Sequence, residues 1–167
     1  MSLIIEKIPK MRDEDLFVLF GHAANKLSTE PNLEAESVIA AIEREWILRL
    51  DRARAGTHST ARPAEGMAAK LGYRVGSVNG EKTPNRRRIL THLLERQLPM
   101  VGSPAYTDEW GAPKTIKRYE KLTRFLESQL SNPANINRPN MERAMIEWGE
   151  DLEWVRKTFA YPANGEA

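Results

Sequence analysis

Apolar side chains recur every three or four residues along most of this chain, a spacing typical of amphipathic helices. The first residues, up to Pro9, are predicted to be extended. Two apolar stripes then predict helices over residues 13–27 and 31–56. Asp13 suits the start of the first helix, and Gly56 suits the end of the second. Because the connection between them is short, the two helices are expected to form an antiparallel hairpin.

The remainder of the chain continues the same pattern with two interruptions. Further stripes predict a short helix over 64–71, one that begins at Thr83 and ends before Pro99, and two more over 114–130 and 141–159. Alternating side chains and an Asn-Gly pair predict a small β-excursion over residues 73–80. Prolines and glycines predict a loop without regular structure over 102–113 and a turn over 132–139.

These elements predict an all-α fold of five or six amphipathic helices, in which an N-terminal helical hairpin packs on a helical bundle. The hairpin covers residues 1–56, and the bundle, which carries a basic module, covers residues 57–162 or joins the hairpin in one domain. Residues 163–167 are expected to be a mobile tail. The predicted core consists of Trp46, Leu50, Ile89, Leu93, Leu122, Leu126, Trp148 and Leu152.

Composition narrows the class of protein. The 167 residues are 41% hydrophobic and 29% charged, which is typical of a globular chain. Absence of cysteine excludes disulfides, thiolate nucleophiles, zinc fingers and cysteine-bound iron–sulfur clusters. Glu6 interrupts the apolar start before a signal peptide can form, and charges interrupt every longer apolar stretch. A cytoplasmic protein without a membrane span is therefore expected.

Motifs for catalysis or cofactor binding do not emerge from the sequence. His22, His58 and His92 share no spacing that would place two metal ligands on one helical face. The segment 76–83 ends in Lys-Thr before a helix, but Glu81 separates its glycine from its lysine, so it lacks the spacing of a phosphate-binding loop. We therefore predict no catalytic residue, no bound metal and no cofactor.

Carboxylates of the last helix leave one enzymatic alternative open. Glu147 and Glu150 have the Glu-x-x-Glu spacing with which some all-helical nucleotide hydrolases hold magnesium, and Asp151 follows them. A matching pair downstream is missing. In the simpler interpretation these acids form the solvated face of an amphipathic helix.

A basic segment carries the main functional hypothesis. Residues 44–96 contain twelve Lys and Arg against five Asp and Glu. Arg86, Arg87 and Arg88 occupy the first turn of a helix, where the free N–H groups and the helix dipole are already positive. A compensating anion is expected there, either an external phosphate or carboxylate that Arg74 and Lys82 would also contact, or an internal acid such as Glu81 or those of the last helix.

The same region resembles a known module. The runs Leu-Gly-Tyr-Arg-Val-Gly at residues 71–76, Arg-Arg-Ile-Leu at 87–90 and Leu-Pro at 98–99 resemble a short helical module that recurs in bacterial proteins of unknown function. The resemblance implies a bacterial origin and a common local fold, in which Gly72 and Gly76 shape the connection while Ile89 and Leu90 pack it. It carries no catalytic residues to transfer.

The last helix also predicts self-association, because its apolar face is wider than one neighbouring helix requires. The predicted interface consists of Met141, Met145, Trp148, Trp154 and Phe159. Taken together, the sequence predicts a non-enzymatic binding or accessory protein that contacts nucleic-acid phosphate through its basic helix start. The alternatives are a protein–protein interaction module and a metal-dependent all-α nucleotide hydrolase.

Overall fold

The computed structural model describes residues 3–56 and 60–161, and these residues form α-helices, one 3-10 helix and no β-strand. The all-α prediction is therefore confirmed. The α-helices are α1 (Leu3–Lys7), α2 (Asp13–Thr29), α3 (Leu33–Gly56), α4 (Met67–Lys70), α5 (Thr83–Glu95), α6 (Pro104–Asp108), α7 (Ile116–Ser131), α8 (Pro133–Ile136) and α9 (Glu142–Thr158). Five of them, α2, α3, α5, α7 and α9, have 13 or more residues and correspond to the long amphipathic stripes.

The chain divides into two compact units that are not contiguous in sequence. The first unit comprises Met1–Gly72 and Gln97–Glu109, and the second comprises Tyr73–Arg96 and Trp110–Ala167. The predicted boundary at residue 57 stays a prediction. His58 and the predicted mobile tail at 163–167 lie outside the described residues.

In the first unit, α2 and α3 form the predicted hairpin. The ring of Trp46 on α3 packs against Phe20 and Phe17 on α2, with centroids 5.3 and 6.1 Å apart. Near the start of α2, the guanidinium of Arg49 bonds Asp13 at 2.5 Å and Glu45 at 2.8 Å. The apolar stripe of each helix thus meets the other, as the spacing predicts.

The extended start predicted up to Pro9 is wrong. Residues 3–7 form α1, and Ile8–Lys10 form the 3-10 helix with Pro9 in its first turn. Proline suits this position because its missing N–H would have no partner there. Ile8 is 1% exposed, and the 3-10 helix packs against α3, so burial of this side chain stabilises a turn that the short sequence pattern did not indicate.

In the second unit, α5, α7 and α9 pack around a shared apolar core. Every side chain predicted for the core of either unit is at most 8% exposed. Burial is set by the helical period, because residues three and four apart lie on the same face. The eight predicted core residues are therefore confirmed as buried.

A buried arginine donates hydrogen bonds to the backbone at the carboxyl end of α5. Arg118, which is 3% exposed, donates hydrogen bonds to the backbone carbonyls of Arg96 at 2.5 Å and Gly111 at 2.8 Å. Burial lowers the pKa of its guanidinium to about 10. Arg96 follows the last residue of α5, so the cation lies at the negative end of the helix dipole.

The β-excursion predicted over residues 73–80 is wrong, because this segment folds back on itself as a loop. Gly76 and Asn79 have positive φ angles of 98° and 58°, which an extended strand does not allow. A Cβ atom at Gly80 would lie 2.0 Å from the carbonyl oxygen of Gly76, so the two backbones approach closely. The Asn-Gly pair makes a turn, but no second strand is present within residues 3–56 and 60–161 to pair with it.

Short helices interrupt two segments predicted to lack them. The predicted loop 102–113 contains α6, whose first turn is capped by the Ser103 hydroxyl, and the predicted turn 132–139 contains α8, capped by Asn132. Both helices begin with a proline, and a single turn is too short for hydrophobic periodicity to reveal. Among the described helices, none has the length and apolar character needed to cross a bilayer.

Candidate functional site

A buried ion pair connects the start of α5 to α9 in the second unit. The guanidinium of Arg86 donates from Nε to one carboxylate oxygen of Asp151 at 2.8 Å, and from a terminal nitrogen to the other oxygen at 3.3 Å. The hydroxyl of Tyr73 donates to the same carboxylate at 2.8 Å. Both charged side chains are buried, with exposures of 1% and 0%. The acids of the last helix therefore compensate the charge of Arg86. For this residue, the compensating anion is an internal carboxylate and not an external ligand.

Glu147, one turn before Asp151, extends this cluster to the loop 73–82. Its carboxylate accepts hydrogen bonds from the backbone N–H of Gly76 at 2.7 Å and from the Nε of Arg143 at 3.0 Å. A terminal guanidinium nitrogen of Arg86 lies 3.4 Å from the same carboxylate. Burial alone would raise the pKa of Glu147, but the bonds from Gly76 and Arg143 and the nearby guanidinium groups outweigh it and lower the pKa. Glu147 is thus a charged anchor for the loop.

The carboxylates of α9 are consequently arranged as partners of arginine. Glu147 and Asp151 direct their oxygens at Arg86, Arg143, Tyr73 and a backbone N–H, while Glu150 is exposed. Within the part of the chain that the structure describes, no group of three or more His, Asp and Glu side chains is placed to hold a metal ion.

The predicted anion-binding residues have different environments. Arg86 is in the core, whereas Lys82 and Arg88 are exposed. Arg74 is half-buried and donates to the carbonyl of its neighbour Tyr73 at 3.0 Å. Arg87 is half-buried, and its guanidinium lies over the ring of Trp154 on α9, 5.2 Å from the ring centroid.

Predicted interface residues separate into two groups. Trp154 and Phe159 are half-buried and contact each other edge-to-face, with centroids 5.4 Å apart. Trp148 is 8% exposed, and Met141 and Met145 are half-buried. The structure therefore brings one predicted anion-binding residue, Arg87, together with part of the predicted interface.

We call the surface formed by Arg87, Trp154 and Phe159 the cation–aromatic face. Tyr161, which sequence analysis missed, stacks on Phe159 with ring centroids 6.2 Å apart. Its hydroxyl donates to Glu95 at 3.2 Å, and burial together with this carboxylate raises the pKa of Tyr161 to about 12. Tyr161 lies beyond the last helix, where no periodic pattern draws attention to it.

A groove of about 630 Å³ lies on the opposite part of α9, near its start. The loop residues 75–78 line one part of the groove, and residues 139–144 together with Trp148 line the rest. Glu147 holds the loop in place through the N–H of Gly76. Sequence analysis missed this groove because its walls are 60 or more residues apart in the chain and meet only after folding.

Comparison with known proteins gives no relative for this chain: no family model, no curated protein and no solved structure matches it.

Proposed function

We propose that this protein is a non-enzymatic binding protein whose cation–aromatic face contacts the phosphates and bases of single-stranded nucleic acid. The observation that carries the proposal is the environment of Arg87. This guanidinium is half-buried over Trp154, and it forms no ion pair with a carboxylate of residues 3–56 or 60–161. Its Nε is buried and has no hydrogen-bond partner among those residues.

A partly buried cation of this kind favours an anionic ligand. Removing a guanidinium from water without a partner is unfavourable, and a phosphate supplies both charge and acceptor oxygens. Lys82, five residues before Arg87, and Arg88, the residue after it, are both exposed. Their charges therefore act on the same ligand within a screening length of about 8–10 Å. Association should therefore weaken as salt is raised.

Partly exposed aromatic rings favour single strands over a duplex. Trp154, Phe159 and Tyr161 form a continuous row of ring contacts beside Arg87. Unpaired bases stack on such rings with little dependence on sequence, whereas the bases of a duplex are already stacked on one another. The proposal is therefore sequence-tolerant binding.

Two alternatives remain from the sequence. The hydrolase is disfavoured because Glu147 and Asp151 bond arginines, and a metal ion would have to displace these cations. The interaction module is supported by a different surface, the groove near the start of α9.

Fluorescence anisotropy with labelled oligothymidine and a labelled duplex tests the proposal. We expect the single strand to bind more tightly at about 50 mM salt than at about 200 mM salt. The double variant Lys82→Ala/Arg88→Ala should lower the slope of log K against log salt by about 1.4, because each lost phosphate contact contributes about 0.7 for single strands. Arg86 is left unchanged, since its removal would disturb the core.

The matched control is Arg124→Ala/Arg138→Ala, which removes the same charge from exposed positions elsewhere in the second unit. This control should leave the slope unchanged. Replacing Trp154 by Leu should weaken binding of the single strand about 5–150-fold if one base stacks there, with little change in the salt slope. Absence of binding at low salt, or an equal effect of the control, would contradict the proposal.

A further inference from the structure

We infer that the groove near the start of α9 docks an extended peptide segment of a partner protein, one that carries a large apolar side chain next to an acidic side chain. This inference is independent of the nucleic-acid proposal, because the groove and the cation–aromatic face share no residue.

The groove has the size and lining of a peptide site. Its volume of about 630 Å³ lies within the range of about 300–1,000 Å³ that is usual for ligand pockets. Val75, Ala144 and Trp148 give it an apolar lining. Val78 also lines the groove and is 79% exposed, so its apolar side chain lies in water at the rim. An apolar side chain of a peptide would remove this surface from water.

Arg143 gives the groove a fixed positive group. Its side chain is 68% exposed, and its Nε is held by Glu147 at 3.0 Å. Glu147 is itself held by Gly76 and Arg86, so the guanidinium is oriented before any ligand arrives. The terminal nitrogens of Arg143 have no hydrogen-bond partner in the described part of the chain. A carboxylate fits such a planar pair of donors.

Glu142 distinguishes a peptide from a nucleic acid as the occupant. Its exposed carboxylate lines the same groove, where it would repel the phosphates of a polyanion. The same carboxylate can accept a backbone N–H of an extended peptide. A segment with an acidic side chain for Arg143 and a backbone donor for Glu142 complements both charges.

Selection of a displayed random peptide library on the immobilised full-length chain tests this inference. Peptides enriched on the wild-type chain should share an acidic residue beside a large apolar residue. On Arg143→Glu the acidic preference should change to a basic one. Because the new carboxylate would lie beside Glu147 and weaken the fold, Arg143→Gln provides a second variant, on which the acidic preference should disappear while circular dichroism stays that of the wild type.

Apolar contact is tested with the best enriched peptide in solution. Val78→Ala should weaken its binding about tenfold, the effect of two methyl groups leaving an apolar contact. Ile146→Ala, which changes an exposed apolar residue of α9 outside the groove, should leave binding unchanged. The inference is overturned if no peptide is enriched, if the acidic preference survives in Arg143→Gln, or if oligothymidine displaces the peptide as effectively as unlabelled peptide does.

Discussion

Arg86 and Asp151 form a two-bonded ion pair in which both side chains are buried, 65 residues apart in the sequence. Three arginines at a helix start are unfavourable in isolation, because the helix dipole is positive there. Asp151 removes this conflict for Arg86, and the bond from Tyr73 to the same carboxylate brings the loop that precedes α5 into the arrangement. The pair thus orients α5, α9 and the loop between residues 73 and 82.

Removing either partner of this pair should destabilise the protein strongly. Arg86→Met leaves the buried Asp151 carboxylate without its cation, and Asp151→Leu leaves Arg86 with only the more distant Glu147 carboxylate at 3.4 Å. We expect each variant to lose about 3–5 kcal/mol in the free energy of unfolding. The double variant should lose clearly less free energy of unfolding than the two single variants added together, because both charges of the pair are then removed. Urea unfolding followed by circular dichroism measures all three.

The exposed pair Arg124–Glu120 on α7 is the control for this cycle. Its atoms lie 3.2 Å apart, with side-chain exposures of 76% and 52%, so its loss should change the free energy of unfolding by only about 0–1 kcal/mol. Equal effects at the buried and the exposed pair would show that the Arg86–Asp151 pair does not hold the second unit together.

Glu147 should make stability depend on pH in the acid range. Its folded-state pKa is lowered, so its contribution is fully present above the ordinary glutamate pKa of about 4.3 and is lost as the pH falls through the folded-state value. Glu147→Gln should therefore be less stable than the wild type at neutral pH by about 1–3 kcal/mol, with a difference that shrinks towards pH 3. A difference that is independent of pH would contradict this assignment.

Two glycines of the second unit should respond to alanine in opposite ways. At Gly80 a Cβ atom would collide with the carbonyl oxygen of Gly76, so Gly80→Ala should destabilise the loop and lower the melting temperature. Gly149 lies within α9 with open space around its would-be Cβ, so Gly149→Ala should stabilise the protein by about 0.4–1 kcal/mol. Thermal unfolding of the two variants side by side provides the measurement.

Arg118 should not tolerate lysine. The planar guanidinium donates to two carbonyls at once, at Arg96 and Gly111, and a single ammonium group cannot reproduce this fork. We expect Arg118→Lys to lower the free energy of unfolding by about 1–3 kcal/mol, the effect of leaving a buried carbonyl without its donor. The exposed substitution Arg124→Lys should have no measurable effect, and a similar loss in both would refute the proposed role.

Self-association through α9 stays a prediction, and the exposed side chain of Ile146 provides a position at which to test it. This residue is 62% exposed on α9, beside the predicted interface residue Met145. Light scattering should give a mass above the monomer value of 19.0 kDa as the concentration rises, and Ile146→Asp should restore the monomer. A constant 19.0 kDa for the wild type at high concentration would exclude the predicted interface.

Residue spacing predicted most of the helices because helical burial is a local property. The stripe over residues 141–159 corresponds to Glu142–Thr158, and the stripe over 13–27 corresponds to Asp13–Thr29. The local pattern did not predict α6 and α8, because each is a single turn. It also predicted a strand over residues 73–80 wrongly, because the side chains of this loop alternate as they would in a strand.

The sequence by itself thus determined the helical class, the buried face of each long helix, and the presence of unbalanced positive charge at the start of α5. Only the tertiary structure decided that Arg86 is compensated within the core, that Arg87 lies over Trp154, and that Glu147 shapes a groove by holding Gly76. Each of these contacts joins residues 65 or more positions apart. Helix periodicity specifies which side chains face inward, but it does not specify which neighbour they meet, because that depends on how the helices pack and where the loops place their backbone donors.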